Sequence, residues 1–189
     1  MPALTPKLGL RLLGLGLLTV LLQVSAISQV TIAGTNADLT PLVVMSVGLL
    51  CGSVLGAVFG FVAGLFVDMA LLQTLGLSSL VYIVCGYGAG RIRELRDPQA
   101  GVTPLAVGAI ATGVATIGFS LMNFLLGVDA PVSFLLLREI VTTILVNTLI
   151  AMPLYALVRR WLLPVLPDDP RRRRRRAYTT GGLSPLSRA

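Results

Sequence analysis

The stretch Pro41–Val67, PLVVMSVGLLCGSVLGAVFGFVAGLFV, decides how this chain is built. It runs for 27 residues without a charge. As one helix it would be about 40 Å long, against a hydrocarbon core of about 30 Å. As two helices it has to turn at Cys51-Gly52-Ser53. Two spans of about 12 to 16 residues would be short, and short spans need partner helices or a locally thinned bilayer.

The surroundings of that stretch set the class. From Leu12 to Gly90, 79 residues, the only charges are Asp38 and Asp68. Charged residues make up 12% of the chain, against about 25% in soluble domains. Hydrophobic residues make up 55% and the mean hydropathy is +0.89, which water would not tolerate as a surface. The chain is therefore read as an integral membrane protein with room for one compact helical domain. Its formal charge of +7 is local, because six of the positives are the run Arg171–Arg176.

Several chemistries are ruled out by composition. There is no histidine, so His-based metal sites, proton relays and HExxH proteases fall away. Cys51 and Cys85 lie in apolar stretches without CxxC spacing and read as small buried hydrophobes. The acidic residues are scattered, and no serine has a histidine or lysine partner. The expectation is no catalytic residue, no metal and no cofactor. Self-energised transport is equally unsupported, since no chain of interior carboxylates and no internal repeat is visible.

Charge asymmetry counts the spans. Apolar runs cover Leu12–Val30, Leu77–Ala89, Pro104–Leu126 and Pro131–Val158, besides Pro41–Val67. Val24-Ser25-Ala26 resembles a signal cleavage site, but apolar character resumes right after Asp38, so the first run is read as an uncleaved span. Thr40-Pro41, Thr103-Pro104 and Asp129-Ala130-Pro131 read as helix starts with a capping residue before the proline. Pro153 predicts a kink in the last span, with a freed carbonyl near Leu149. Tyr155 and Trp161 fit interfacial anchoring. Lys7/Arg11, Arg91/Arg93/Arg96 and Arg159/Arg160 with the arginine run belong on the cytoplasmic side. Two passes through Pro41–Val67 put all of these inside and Asp38, Asp68 and Asp129 outside; one pass strands a basic cluster on the wrong side. The reading is an all-α integral membrane protein, a bundle of about six transmembrane helices over residues 1–163 with both termini cytoplasmic. Residues 164–189 form an Arg-rich cytoplasmic tail expected to be disordered.

Small residues mark contact faces. Gly52, Gly56, Gly60 and Gly64 recur at intervals of four, and Gly86 and Gly90 repeat the spacing. Ala109, Gly113 and Gly118 add small residues to the fifth span. Such a face serves either tight packing within the bundle or docking of a partner helix, including a second copy of the chain. The adjacent pair Arg138-Glu139 either snorkels at headgroup level or lines a pocket. Asn123 and Asn147 suit hydrogen bonds between helices. Arg171, Arg172, Arg173, Arg174, Arg175 and Arg176 beside a membrane exit suit anionic lipid, at about 1 kcal/mol each, or act as a charge block fixing topology. No aromatics interleave them, which argues against a nucleic-acid partner.

One block of residues carries a resemblance. Ala37-Asp38-Leu39-Thr40-Pro41-Leu42, then Gly52, then Gly60–Asp68, then Leu75-Gly76-Leu77 and Gly86-Tyr87-Gly88-Ala89-Gly90-Arg91 resemble the MreD family of rod shape-determining proteins. Pro41, Asp68, Gly76 and Arg91 are the motif residues, and Asn147 and Pro153 in the last span add to the likeness. The chain departs from the family at Gly52-Ser53, a turn that ordinarily carries charge, and in its long tail. The resemblance implies a non-enzymatic subunit of the cell-wall elongation machinery in a bacterial plasma membrane. Its direct partner would be MreC, with MreB, RodA and the elongation penicillin-binding transpeptidase reached through it. It also implies an architecture similar to the S subunits of energy-coupling-factor transporters, with an outward cavity for which Asp68, Asn123, Arg138 and Glu139 are candidates by their place in the spans. The competing class is a vitamin-type transporter subunit, for which one Trp and four Tyr are a thin aromatic supply.

Overall fold

The computed structural model describes residues 6–27, 31–32, 35–36, 38–95, 103–127 and 134–165. They form six α-helices: α1 (Pro6–Leu22), α2 (Leu39–Cys51), α3 (Ser53–Ala70), α4 (Leu77–Leu95), α5 (Thr103–Leu125) and α6 (Phe134–Leu162). Helix α1 runs into a π-helical turn, Gln23–Ile27. Beyond it a small antiparallel pair, β1 (Thr31–Ile32) and β2 (Thr35–Asn36), matches Thr31 with Asn36 and Ile32 with Thr35. Four helical segments are long and apolar enough to cross a membrane: Pro6–Ser25, Ser53–Ala70, Thr103–Leu125 and Ile140–Leu162. Helix α2 is apolar but only 13 residues long, and α4 ends in Arg91, Arg93 and Glu94.

Pro41–Val67 is two helices broken at one residue. Gly52 sits at φ +100°, ψ 176°, a conformation that a side chain would strain. Its N–H still donates to Gly48 O (2.8 Å) and its carbonyl accepts from Gly56 N–H (2.9 Å). The last bond of α2 and the first of α3 thus share this glycine, and the chain folds back on itself.

Helix starts depart from the sequence reading in one detail. The cap of α2 is Asp38, whose carboxylate accepts from Thr40 N–H at 3.3 Å, so Thr40 is inside the helix and not its cap. A carboxylate two residues earlier both binds the free N–H and meets the positive end of the helix. Thr103 is itself the first residue of α5. Asp129-Ala130-Pro131 lies outside the described residues. Helix α6 continues through Pro153 as one element.

Helix α2 is the centre of the bundle. Leu42, Val44, Met45 and Val47 are fully buried, and α1, α3, α4, α5 and α6 all pack on it. Tyr82 and Phe59 belong to one core cluster with α1 and α3; Leu42, Leu49, Val107 and Ala151 form a second toward α5 and α6. The outer surface is apolar in turn, with Leu17, Val58, Ile110, Ile117, Leu145 and Leu149 exposed. Lipid is as apolar as leucine, so this belt needs no cover, and the inner contacts rest on close packing.

The two ends differ in charge. Lys7, Arg11, the Gly52 turn, Arg91, Arg93, Glu94, Arg159 and Arg160 gather at one end, where Ser53 meets Glu94 and Arg11 meets Trp161. Asp38, the α3–α4 turn and Asn123 gather at the other, around a shared cavity.

Candidate functional site

The motif residues build the α3–α4 hairpin. A methyl carbon built on Gly56 would lie 2.5 Å from Gly86 O, and one on Gly60 would fall on the Tyr82 carbonyl. Gly64 meets the backbone of Ser79 in the same way, Gly86 that of Gly56, and Gly90 that of Ser53. The glycine ladder is therefore occupied inside the chain, α3 against α4, and a partner helix has no access to it. Spacing alone left both uses open; the partner-helix assignment of Gly56, Gly60, Gly64, Gly86 and Gly90 is corrected by their burial against backbone. Gly52 has a different role, the turn.

Each end of this hairpin is closed by a carboxylate from the opposite helix. Asp68, at the end of α3 and fully buried, accepts from Gly76 N–H (2.7 Å, Oδ2) and Ser78 N–H (3.2 Å, Oδ1). It thus closes the Leu71–Leu75 turn and caps α4. Gly76 stands at φ +95°, which suits glycine there. Glu94, at the end of α4, accepts from Ser53 Oγ–H (2.6 Å) and Ser53 N–H (3.3 Å), capping α3. Those two bonds, then Arg91 at 3.3 Å, hold the Glu94 carboxyl below its ordinary value. Arg91 also lies 5.9 Å from the Tyr87 ring centroid. Two of the four motif residues, Asp68 and Gly76, are thus turn-makers, and Arg91 braces the second cap.

The acidic end opens into a cavity of about 580 Å³. Gln23, Asp38, Gln73, Thr74, Ser78 and Asn123 supply its polar wall, and Val67, Leu77, Tyr82 and Phe119 its apolar one. Tyr82 and Phe119 meet edge to face at 5.7 Å. Burial raises the Asp38 carboxyl to about 6, against hydrogen bonds from Thr40 N–H and the Tyr82 hydroxyl that lower it. Asn147 on α6 ties the Asp38 backbone on both sides: its Oδ1 accepts the N–H (3.3 Å) and its Nδ2 donates to the carbonyl (3.0 Å). Gln23 Oε1 accepts from Leu39 N–H at 3.0 Å. The Ser78 hydroxyl is buried without a hydrogen-bond partner among the described residues.

Of the four residues expected to line a cavity, Asn123 does. Asp68 does not, because two backbone N–H groups have consumed it behind the wall. Arg138 is exposed at the start of α6. The side chain of Glu139, and all of Arg171–Arg176, lie outside the described residues. Sequence reasoning missed Gln23, Tyr82 and Glu94, and read Asp38 as an outside charge and part of the resembling block, not as a cavity residue. Glu94 had a signal, being the lone acid inside a basic cluster. Among the described residues no three of His, Cys, Asp and Glu gather as metal ligands. Cys51 and Cys85 are free and buried.

A buried central helix, five helices around it, an apolar belt and charge polarised between the ends define a polytopic α-helical membrane protein. The family model for the rod shape-determining protein MreD matches residues 7–163. The chain belongs to that family, a family of membrane proteins that determine rod shape. Comparison with curated proteins and with solved structures gave no match.

Proposed function

We propose that this protein is a non-enzymatic membrane subunit of the bacterial cell-wall elongation complex, binding MreC within the plasma membrane. Through MreC it connects to MreB, RodA and the elongation penicillin-binding transpeptidase. The observation that carries this reading is the family match over 7–163. Six passes with both termini cytoplasmic fit the collection of basic residues at one end, under the positive-inside rule. The tail 164–189, with Arg171–Arg176, is assigned to contact with anionic lipid.

MreC is assigned to a face that is left outward. Helix α2 is enclosed and the glycine ladder is filled, and among the apolar faces that remain, the reading takes the outer side of the hairpin. It presents Val54, Val58 and Phe61 on α3 and Leu80, Val84 and Tyr87 on α4. The ladder serves this face by holding the two helices rigidly together. Affinity purification of the tagged protein from native membranes in mild detergent, with mass spectrometry of what accompanies it, tests the reading. MreC and wall-synthesis enzymes are expected.

A second reading is a substrate-binding membrane subunit of a vitamin-type transporter, similar to the S subunits of energy-coupling-factor transporters. The acidic-end cavity with its Tyr82–Phe119 wall favours it. Recovery of transporter ATPases with a bound small molecule would replace the first reading by this one.

A further inference from the structure

The cavity at the acidic end gathers polar groups from separate parts of the chain. Gln23 comes from the π-helical turn that ends α1, Asp38 from the cap of α2 and Thr74 from the α3–α4 turn. Ser78 comes from the first turn of α4 and Asn123 from the last turn of α5. π-Helical turns are rare and recur at functional sites. Asn147 clamps the Asp38 backbone from α6, so the carboxyl is held in a fixed place on the wall. Thr40 N–H and the Tyr82 hydroxyl use two of its roughly four acceptor positions. The Ser78 hydroxyl is fully buried and spends no hydrogen bond among the described residues. The wall therefore holds more hydrogen-bonding capacity than the fold consumes.

The charge of this wall has one sign. Asp38 lines it, and among the described residues no Lys or Arg does. Arg138 on α6 is exposed and takes no part in the wall. Asp68 accepts from Ser78 N–H directly behind it, a second carboxylate on the same side. An anion entering here would meet like charge without a counter-charge, whereas a cation is attracted. The cavity, about 580 Å³, falls within the range of small-molecule sites, about 300–1,000 Å³, and is far larger than a bare metal ion needs. Val67, Leu77 and Phe119 make one side of it apolar. We infer that this cavity binds a protonated amine with an apolar body, its ammonium on the Asp38 carboxylate and its body along Val67, Leu77 and Phe119. Ser78 and Asn123 offer further oxygens from the same wall. That chemistry exists in two forms, a free amine and the ethanolamine headgroup of a membrane lipid. The inference stands apart from MreC binding, and it would give the transporter reading its substrate class.

The test is isothermal titration calorimetry of the full chain in dodecyl maltoside, a neutral detergent without amines, with phenethylamine as probe. Phenethyl alcohol and phenylacetate carry the same apolar body with no charge and with a negative one. Binding of the amine alone is expected, and this comparison is read on the wild-type chain, so it does not depend on any variant folding. Asp38→Asn keeps a good helix cap and removes the charge. It is expected to weaken the amine about tenfold or more. Added phosphatidylethanolamine then separates the two forms. Loss of the probe's heat with that lipid, but not with phosphatidylglycerol, assigns the headgroup; persistence with both assigns a free amine. Absence of heat with the amine, equal binding of the alcohol or of phenylacetate, undiminished binding to folded Asp38→Asn, or displacement of the amine by calcium chloride would each overturn the assignment. None of these readings depends on whether MreC accompanies the protein.

Discussion

Gly56→Ala is the most informative small change in this protein. The added methyl would lie 2.5 Å from Gly86 O on α4 and 2.7 Å from Gly48 Cα on α2. Ordinary contact begins near 3.4 Å, so α3 has to withdraw by about 0.9 Å from one neighbour and about 0.7 Å from the other. It cannot do so freely, because Gly52, four residues away, tethers α3 to α2. Overpacking of this kind costs about 1–3 kcal/mol. Alanine returns about 1 kcal/mol through helix propensity, leaving a net loss of up to about 2 kcal/mol. For a chain of this size that lowers the melting temperature by roughly 4–8 °C. The control is Gly88→Ala on the open side of α4, where a methyl meets nothing within 4 Å and should be neutral or stabilising. Both can be read by size-exclusion chromatography after a heating series in mild detergent. Equal melting of Gly56→Ala and wild type, or a matching loss in Gly88→Ala, would refute the assignment of the ladder to internal packing.

Three further outcomes are expected. Asp68→Ala strips the acceptors from Gly76 and Ser78 N–H and should cost about 3 kcal/mol or more, since hydrogen bonds to a charged group contribute about 1.5–3 kcal/mol each; retention of wild-type melting would show the turn is held otherwise. Burial raises Asp38 from 3.8 to about 6, so the fold binds this proton more tightly than the unfolded chain. That stabilisation is complete below pH 3.8 and is lost as pH rises through 6, so the melting advantage of Asp38→Asn over wild type should grow across this window and level above it. Glu94 has the opposite sign: held below its ordinary 4.5, it stabilises above that pH and loses the contribution on acidification. Ser53→Ala, which removes its first hydrogen-bond donor, should flatten the acid limb of the melting profile.

The architecture was legible where the information is local. One helix was too long for a bilayer and the basic clusters asked for an even number of passes, which together put the turn within Cys51-Gly52-Ser53. The four-residue glycine period announced a face, but a period is the same whether the facing backbone belongs to α4 or to another protein. Only the position of Gly86 and Tyr82 against that face decides it. The candidate cavity was the least legible part. Asp68 looked like an ionisable group seeking a ligand, yet its donors lie 8 and 10 residues on, in a turn whose shape depends on Gly76. Asn147 reaches Asp38 across 109 residues and Arg11 reaches Trp161 across 150, contacts that no local pattern encodes. The choice of Thr40 as cap failed for a simpler reason: two candidate oxygens stand two residues apart, and the stronger acceptor won.

The most direct test of a place in wall elongation is depletion of the protein from its own cells while new wall is labelled with a fluorescent D-amino acid. Loss of rod shape with dispersed side-wall labelling, restored by the wild-type chain and by Gly88→Ala but not by a form that no longer retains MreC, is the result expected. Unchanged cell shape and labelling after depletion, with uptake of a small molecule lost instead, would contradict it and move attention to the cavity around Asp38 and Tyr82.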